Sequence, residues 1–203
     1  TEVEIVKDGR LYQIAFARGE VTRPLEELPD PAIVGQALHA ASGTKVTFRP
    51  DPEIFDDTQF QYETLQHRLR ELAYLNPGVR IKIGQPSLEK EKDFFFEGGI
   101  SSFVEHLNEN HTTLHDQPIY ISGGREGLEA EVALQWTSRF AEATYTFANN
   151  INTVEGGTHL SGLKAALTRT INSYGANNNL FKSQKVENIG GDDIREGLTC
   201  VLS

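Results

Sequence analysis

Short alternating runs of apolar and polar residues, interrupted by longer amphipathic stretches, divide this chain into its elements. Apolar-rich residues 3–6 and 11–16 flank Lys7-Asp8-Gly9-Arg10, and an Asp-Gly pair in that setting predicts an antiparallel hairpin. Pro24, Pro29 and Pro31 stand among acidic residues and predict an irregular surface excursion over residues 22–42. Residues 43–51 begin as a β-branched strand that Pro50 stops. Tyr62, Leu65, Leu69 and Leu72 recur at helical spacing, so residues 58–75 read as an amphipathic helix. Asn76-Pro77-Gly78 ends it, and His67, Arg68 and Arg70 fall on its solvated face.

Alternation over residues 79–83 predicts a strand that pairs with residues 93–96 across the charged turn 89–92. Gly98-Gly99 break that pattern, and Ile100, Phe103, Val104 and Leu107 open a new helix, which sets a domain boundary at residues 97–99. Three strands follow, at 118–122, 128–136 and 143–147, with Gly123-Gly124 and Ser138-Arg139 in the turns. In the middle one Glu129, Glu131 and Gln135 alternate with Ala130, Val132, Leu134 and Trp136, the pattern of a sheet wet on one face and packed on the other. Glu155-Gly156-Gly157-Thr158 reads as a flexible turn feeding a helix over 158–174, whose Leu160, Leu163, Leu167 and Ile171 cover that sheet. After the polar loop 177–179, Gly191-Asp192-Asp193-Ile194-Arg195-Glu196-Gly197 reads as a short helical turn capped by carboxylates and ended by glycine, before a strand at 198–202. The class is α+β with mixed sheets.

Composition narrows the partners. A 203-residue chain, 38% hydrophobic with 11 Phe and 6 Tyr, has the apolar content for a packed core. Its formal charge of −10 argues against long-range attraction to a phosphate backbone, so any DNA contact must be a local basic patch. The lone Cys200 lies in an apolar run and reads as a buried inert thiol, in keeping with a reducing cytosol. No apolar run approaches the ~20 residues that span a bilayer, so no membrane partner is expected. The chain lacks an initiator Met, opens in one strand and closes in another, and reads as an excised fragment.

Spacing gives little support for catalysis. No Ser or Cys sits in a nucleophile elbow, and six scattered His show no metal-ligand spacing, so the expected catalytic and metal sets are empty. His159 reads as a structural or switch residue. No Walker-type phosphate loop is present. Lys164 and Arg169, with Lys182 and Lys185 beyond, form a basic helix region that is either a solvated surface or a lining for passing DNA.

Glu155 to Thr170 and Gly191 to Leu198 together resemble the ATPase half of bacterial type II topoisomerases, the DNA gyrase B-subunit family above all. The likeness extends over nearly the whole chain through Gly43-Thr44-Lys45-Val46, Arg68 to Asn76, Phe96 to Ile100, Glu131 to Trp136 and Phe147 to Ile151. It implies the back half of a GHKL ATPase α/β sandwich at residues 1–98, followed by a ribosomal-S5-domain-2-like transducer domain at 99–203, incomplete at its end. By the same resemblance Gly43, Thr44, Val46 and Lys7 belong to the nucleotide site: Thr44 near the adenine through an ordered water, Val46 in apolar contact, and Lys7 at the pocket mouth where an Arg is usual. Lys164 falls where the family lines its DNA cavity, with Arg169 beside it.

The intact protein implied is a cytoplasmic ATP-hydrolysing topoisomerase that uses ATP and Mg2+ and couples hydrolysis to strand passage and negative supercoiling. It would act on DNA, as a B-subunit homodimer joined to the gyrase A subunit in an A2B2 complex. The family's catalytic Glu, Mg-binding Asn, adenine-binding Asp and glycine-rich lid would precede Thr1, and its Gln-Thr-Lys loop would follow Ser203. The isolated chain is therefore expected to be inactive and monomeric, binding no nucleotide tightly. Other readings are the B subunit of topoisomerase IV, a non-enzymatic binding or signalling module with a GHKL-like remnant, and, on fold analogy, an S5-like RNA-binding domain.

Overall fold

The computed structural model describes residues 1–28, 42–182 and 186–203, in two compact units, Thr1–Phe60 and Gln61–Ser203. Most of the excursion expected at 22–42, and Lys185, lie outside the described residues.

The first unit holds an antiparallel sheet in the order β3-β2-β1-β4, built from β1 (Glu2–Lys7), β2 (Arg10–Ala17), β3 (Glu20–Leu28) and β4 (Gly43–Thr47). Asp8 and Gly9 take φ of +53° and +73°, the left-handed pair of a type I′ turn that matches strand twist, so the expected hairpin is present. Arg18 and Gly19 repeat the device and lead into β3. That strand is a departure from the irregular segment expected from Pro24. The register against β2 shifts between Gln13 and Phe16, opposite Pro24, and β3 lies at the sheet edge, where the missing N–H of proline is tolerated.

In the second unit, α1 (Tyr62–Leu75) precedes a hairpin of β5 (Ile81–Gln85) and β6 (Lys90–Phe94). The turn of that hairpin falls earlier than expected, as a 3-10 turn at Pro86–Leu88 closed by Glu89 at φ +50°, because Pro86 presets the turn. Helix α1 starts at Tyr62 rather than at 58, since the Asp57 carboxylate accepts the Gln59 N–H at 2.8 Å in a turn of its own. Its expected solvated face is largely engaged. Arg68 donates to Glu71 at 2.8 Å and to the Asn150 carbonyl, and Arg70 lies 3.1 Å from His106 Nε2 and over the Phe94 ring. Only His67 of the three is mainly in solvent, with 71% of its side chain exposed.

A five-stranded sheet follows, in the order β10-β9-β11-β8-β7. Its strands are β7 (Ile119–Arg125), β8 (Leu128–Trp136), β9 (Ala143–Ala148), β10 (Ile151–Asn152) and β11 (Leu198–Leu202). The last strand enters between β9, which it parallels, and β8, which it opposes. Every residue of β11 is buried. On one face, Ala133, Phe147 and Val201 pack with Tyr74 and Leu75 of α1 and with Ile100, Phe103 and Val104 of α2 (Gly99–Asn108). On the other, Val132, Leu134, Leu198, Cys200 and Leu202 meet Leu163 and Leu167 of α3 (Thr158–Asn177), as the leucine spacing required. A fully buried side chain of this size contributes about 1.5–3 kcal/mol.

Two expectations for β8 change. Its second half is buried on both faces, because α2 covers the side expected to be wet; Gln135 is only 2% exposed. Its amide is satisfied by Asn108 Nδ2, which donates to Gln135 Oε1 at 2.9 Å, and by the His115 carbonyl, which accepts from Gln135 Nε2 at 3.0 Å. Gly123 and Gly124 lie within β7, opposite Ala130 and Glu129, while Glu126 and Gly127 at φ +55° and +80° form the turn. Trp136 packs as expected and donates from its indole to the Ile194 carbonyl at 2.8 Å.

Candidate functional site

Edge strand β4 carries three of the four residues assigned to a nucleotide site. The register places Thr44 opposite Ile5 and Val46 opposite Val3, so these four share one face of the sheet. Strand alternation puts Lys7 on that face too, at the end where Gly43 pairs with Val6. Val46 is 61% exposed and Thr44 is exposed, so a hydroxyl and a branched apolar group are presented side by side. Lys45 lies on the opposite face, ion-paired with Glu4 at 2.6 Å. The structure thus brings Lys7, Thr44 and Val46 to one face, with Gly43 at its end. A separate cavity of about 320 Å³ at the far end of this sheet, beside Arg18, Phe48 and Phe55, includes none of them.

The two glycine-rich motifs converge in the second unit. Gly156 takes φ +76° and Gly157 an extended conformation as the chain enters α3, and His159 Nε2 lies 3.3 Å from Thr153 Oγ1, a structural role. The second motif forms α4 (Gly191–Arg195) and ends at Gly197, at φ +74°, where a Cβ would overlap the Thr137 carbonyl. Asn172 of α3 brackets the approach to α4: its Nδ2 donates to the Ile189 carbonyl at 2.9 Å and its Oδ1 accepts from the Ile189 N–H at 2.7 Å.

Glu142, in the connection between β8 and β9, joins the motifs directly. Its Oε1 meets Lys164 Nζ at 2.9 Å and accepts from Thr144 Oγ1 at 2.7 Å, while its Oε2 accepts from Arg195 Nε at 3.0 Å. Arg195 also donates to Asp192 at 2.7 Å. Burial pushes the Glu142 carboxyl up, but the hydrogen bonds from Thr144, Lys164 and Arg195 together outweigh burial and hold it below the usual carboxylate range. No local signal marked Glu142, whose partners come from two later segments of the chain.

Lys164 and Arg169 do not form one basic face. Five residues of helix turn through about 140°, so Lys164 sits beside Leu160 and Leu167 over Glu142 while Arg169 is exposed elsewhere on α3. Lys182 is exposed as well. Cys200 is 1% exposed, and burial pushes its thiol up to about 12, as an inert core group requires. Among the described residues, no three His, Cys, Asp or Glu side chains converge as a metal site. No helix of the described residues is long and apolar enough to cross a membrane.

Comparison with known proteins agrees with this geometry. The DNA gyrase B family profile matches residues 99–203. The DNA gyrase B subunit of Halalkalibacterium halodurans is 48% identical over 204 residues, covering 100% of this chain and 31% of the relative. The DNA gyrase B subunit of Myxococcus xanthus is 48% identical, covering 100% of this chain and 24% of its own length. Among solved structures, the 43K ATPase domain of Thermus thermophilus gyrase B in complex with an aminocoumarin superposes with a TM-score of 0.77 at 36% identity, over 100% of this chain and 53% of that one. The topoisomerase IV ATP-binding domain of Francisella tularensis, in complex with a small-molecule inhibitor, gives 0.74 at 27% identity over 100% and 52%. The α+β fold is therefore that of gyrase B ATPase-domain structures. This chain spans about a third or less of the length of the curated relatives it matches, and it belongs to the DNA gyrase B family.

Proposed function

We propose that this chain is part of a cytoplasmic B subunit of an ATP-dependent type II DNA topoisomerase of the gyrase kind. In the intact protein, ATP binding and hydrolysis with Mg2+ drive DNA strand passage and negative supercoiling, in an A2B2 complex with the gyrase A subunit. The observation that carries this reading is the 48% identity sustained over the full chain. Residues 1–98 serve as the back of the ATPase domain and 99–203 as transducer, a division supported by the start of the family match at residue 99.

The exposed face of β4 suits an adenine. Val46 offers apolar contact, and the Thr44 hydroxyl both donates and accepts, directly or through water. Lys7, at the same end as Gly43, offers a point charge at the pocket mouth. Arg169 and Lys164 on α3 are the DNA-facing cations. The described residues do not converge on a metal, so no step is assigned to one held by this chain, and the isolated chain is expected neither to hydrolyse ATP nor to supercoil DNA and to be monomeric.

The test is a chimera in which this chain replaces the matching segment of the Halalkalibacterium halodurans protein. With that organism's gyrase A subunit, ATP and Mg2+, it should introduce negative supercoils. A chimera that folds and dimerises but shows no ATP-dependent change in DNA topology would overturn the reading.

A further inference from the structure

We propose that Glu142 masks Lys164 from nucleic-acid phosphate, so that this cation becomes available to DNA only when its carboxylate partner is displaced. The inference rests on the reading of α3 as a DNA-facing helix. It starts from an asymmetry within the Glu142 junction. The Arg195 side chain is 12% exposed and held by two carboxylates, Glu142 at 3.0 Å and Asp192 at 2.7 Å. Its place is structural. The Lys164 side chain is 36% exposed, and among the described residues Glu142, at 2.9 Å, is its carboxylate partner. Its ammonium therefore stands at the solvent rim with an anion already bound beneath it.

A phosphate approaching Lys164 meets the Glu142 charge at close range. The attraction to one group is offset by repulsion from the other unless the pair opens. Arg169, exposed and turned about 140° around the helix, carries no such restraint among the described residues. The helix thus presents one open cation and one masked cation. In a chain of net charge −10, where long-range attraction to DNA is absent, the local balance decides whether this surface holds a phosphate.

The experiment is fluorescence anisotropy of a short labelled DNA duplex titrated with the 203-residue chain across a range of salt, with thermal melting as a check on folding. Glu142→Gln should tighten binding several-fold and steepen the salt dependence by about 0.9 per released phosphate contact. The gain should vanish in the double variant E142Q/K164Q, and Glu91→Gln, an exposed carboxylate on β6, should not reproduce it. If E142Q does not fold, Glu142→Asp, with a shorter reach to Lys164, should give a gain in the same direction. An E142Q or E142D chain that binds no better than E91Q overturns the masking. Arg169→Gln separates the two layers: weaker binding in R169Q with no effect of E142Q means that masking alone fails. No binding by the native chain, or none lost in R169Q and K164Q, means that the DNA-facing reading fails and masking with it.

Discussion

Arg195 donates from Nε to Glu142 Oε2 at 3.0 Å, joining α4 to a connection 53 residues earlier in the chain. With Lys164 on the other carboxylate oxygen, it makes the core of the junction depend on one ionised acid. The fold holds the Glu142 carboxyl below its ordinary value, which fixes the sign of its pH dependence. A depressed carboxylate contributes stability that is present above the ordinary Glu value of about 4.3 and lost as pH falls through the folded value. Urea unfolding measured between about pH 5.5 and about pH 3 should therefore show a steeper loss of stability in the native chain than in Glu142→Gln. Asp51 and Glu63 are also held low, by their partners Arg18 and Lys90, but they are present in both chains and cancel. Parallel pH profiles would show that the junction does not depend on the Glu142 charge.

Asn108 ties helix α2 to both buried strands beneath it. Its Oδ1 accepts from Thr199 Oγ1 at 2.7 Å while its Nδ2 donates to Gln135 Oε1 at 2.9 Å. All three residues are buried, at 3%, 0% and 2% exposure. Asn108→Ala strands the partners of both bonds without water to replace it, and the loss should be about 2–4 kcal/mol, the desolvation penalty of two orphaned groups. A midpoint shift smaller than that of a surface Asn→Ala change in chemical denaturation would contradict the network's role.

The features legible in the sequence are those written in local chemistry. Asp8-Gly9 declared its hairpin because both residues tolerate positive φ, and Leu160, Leu163 and Leu167 declared the face that α3 buries. Strand β3 was hidden because Pro24 argues against a strand everywhere except at an edge or a bulge, and only the sheet order reveals that edge. Gly123-Gly124 likewise read as a turn until the pairing with Ala130 and Glu129 placed them within β7. Of the candidate site, Thr44 and Val46 were visible through a resemblance, and their common face follows from alternation alone. Glu142 was not visible at all, because a carboxylate whose partners lie on α3 and α4 leaves no periodic mark. The pairing of Lys164 with Arg169 as one face failed on helix geometry, since residues five apart do not share a side.

Two glycines with nearly the same backbone separate conformational from steric cost. Gly127 at φ +80° has open space where a methyl group would stand, whereas at Gly197, at φ +74°, a Cβ would overlap the Thr137 carbonyl and lie 2.6 Å from the Arg139 carbonyl. Gly127→Ala should lose about 1–2 kcal/mol, the left-handed penalty for an L residue. Gly197→Ala adds a clash with two backbone oxygens and should lose several-fold more or fail to fold cooperatively. Equal losses, measured by thermal or urea unfolding of the two variants, would mean that the backbone around Gly197 yields to a side chain.

Strand β4 offers a test of the nucleotide reading that depends on which face a residue occupies. Thr44 lies opposite Ile5, on the face shared with Val46, and Lys45 lies opposite Glu4 on the other. In the gyrase chimera, Thr44→Ala removes a hydroxyl from the face assigned to the adenine, and loss of a specific hydrogen bond at a binding site is worth about 1–2 kcal/mol, or roughly ten-fold in affinity. KM for ATP should rise by about that factor, while kcat at saturating ATP falls much less, because the hydroxyl is remote from the transferred phosphate. Lys45→Ala deletes a larger and charged side chain one residue away, yet it breaks only the exposed pair with Glu4 and should leave KM for ATP within about two-fold, since surface ion pairs are worth roughly 0–1 kcal/mol. An equal rise in KM in both variants would show that the strand edge as a whole, rather than the Thr44 face, supports the nucleotide, and a rise in Lys45→Ala alone would place the nucleotide on the opposite side of the sheet.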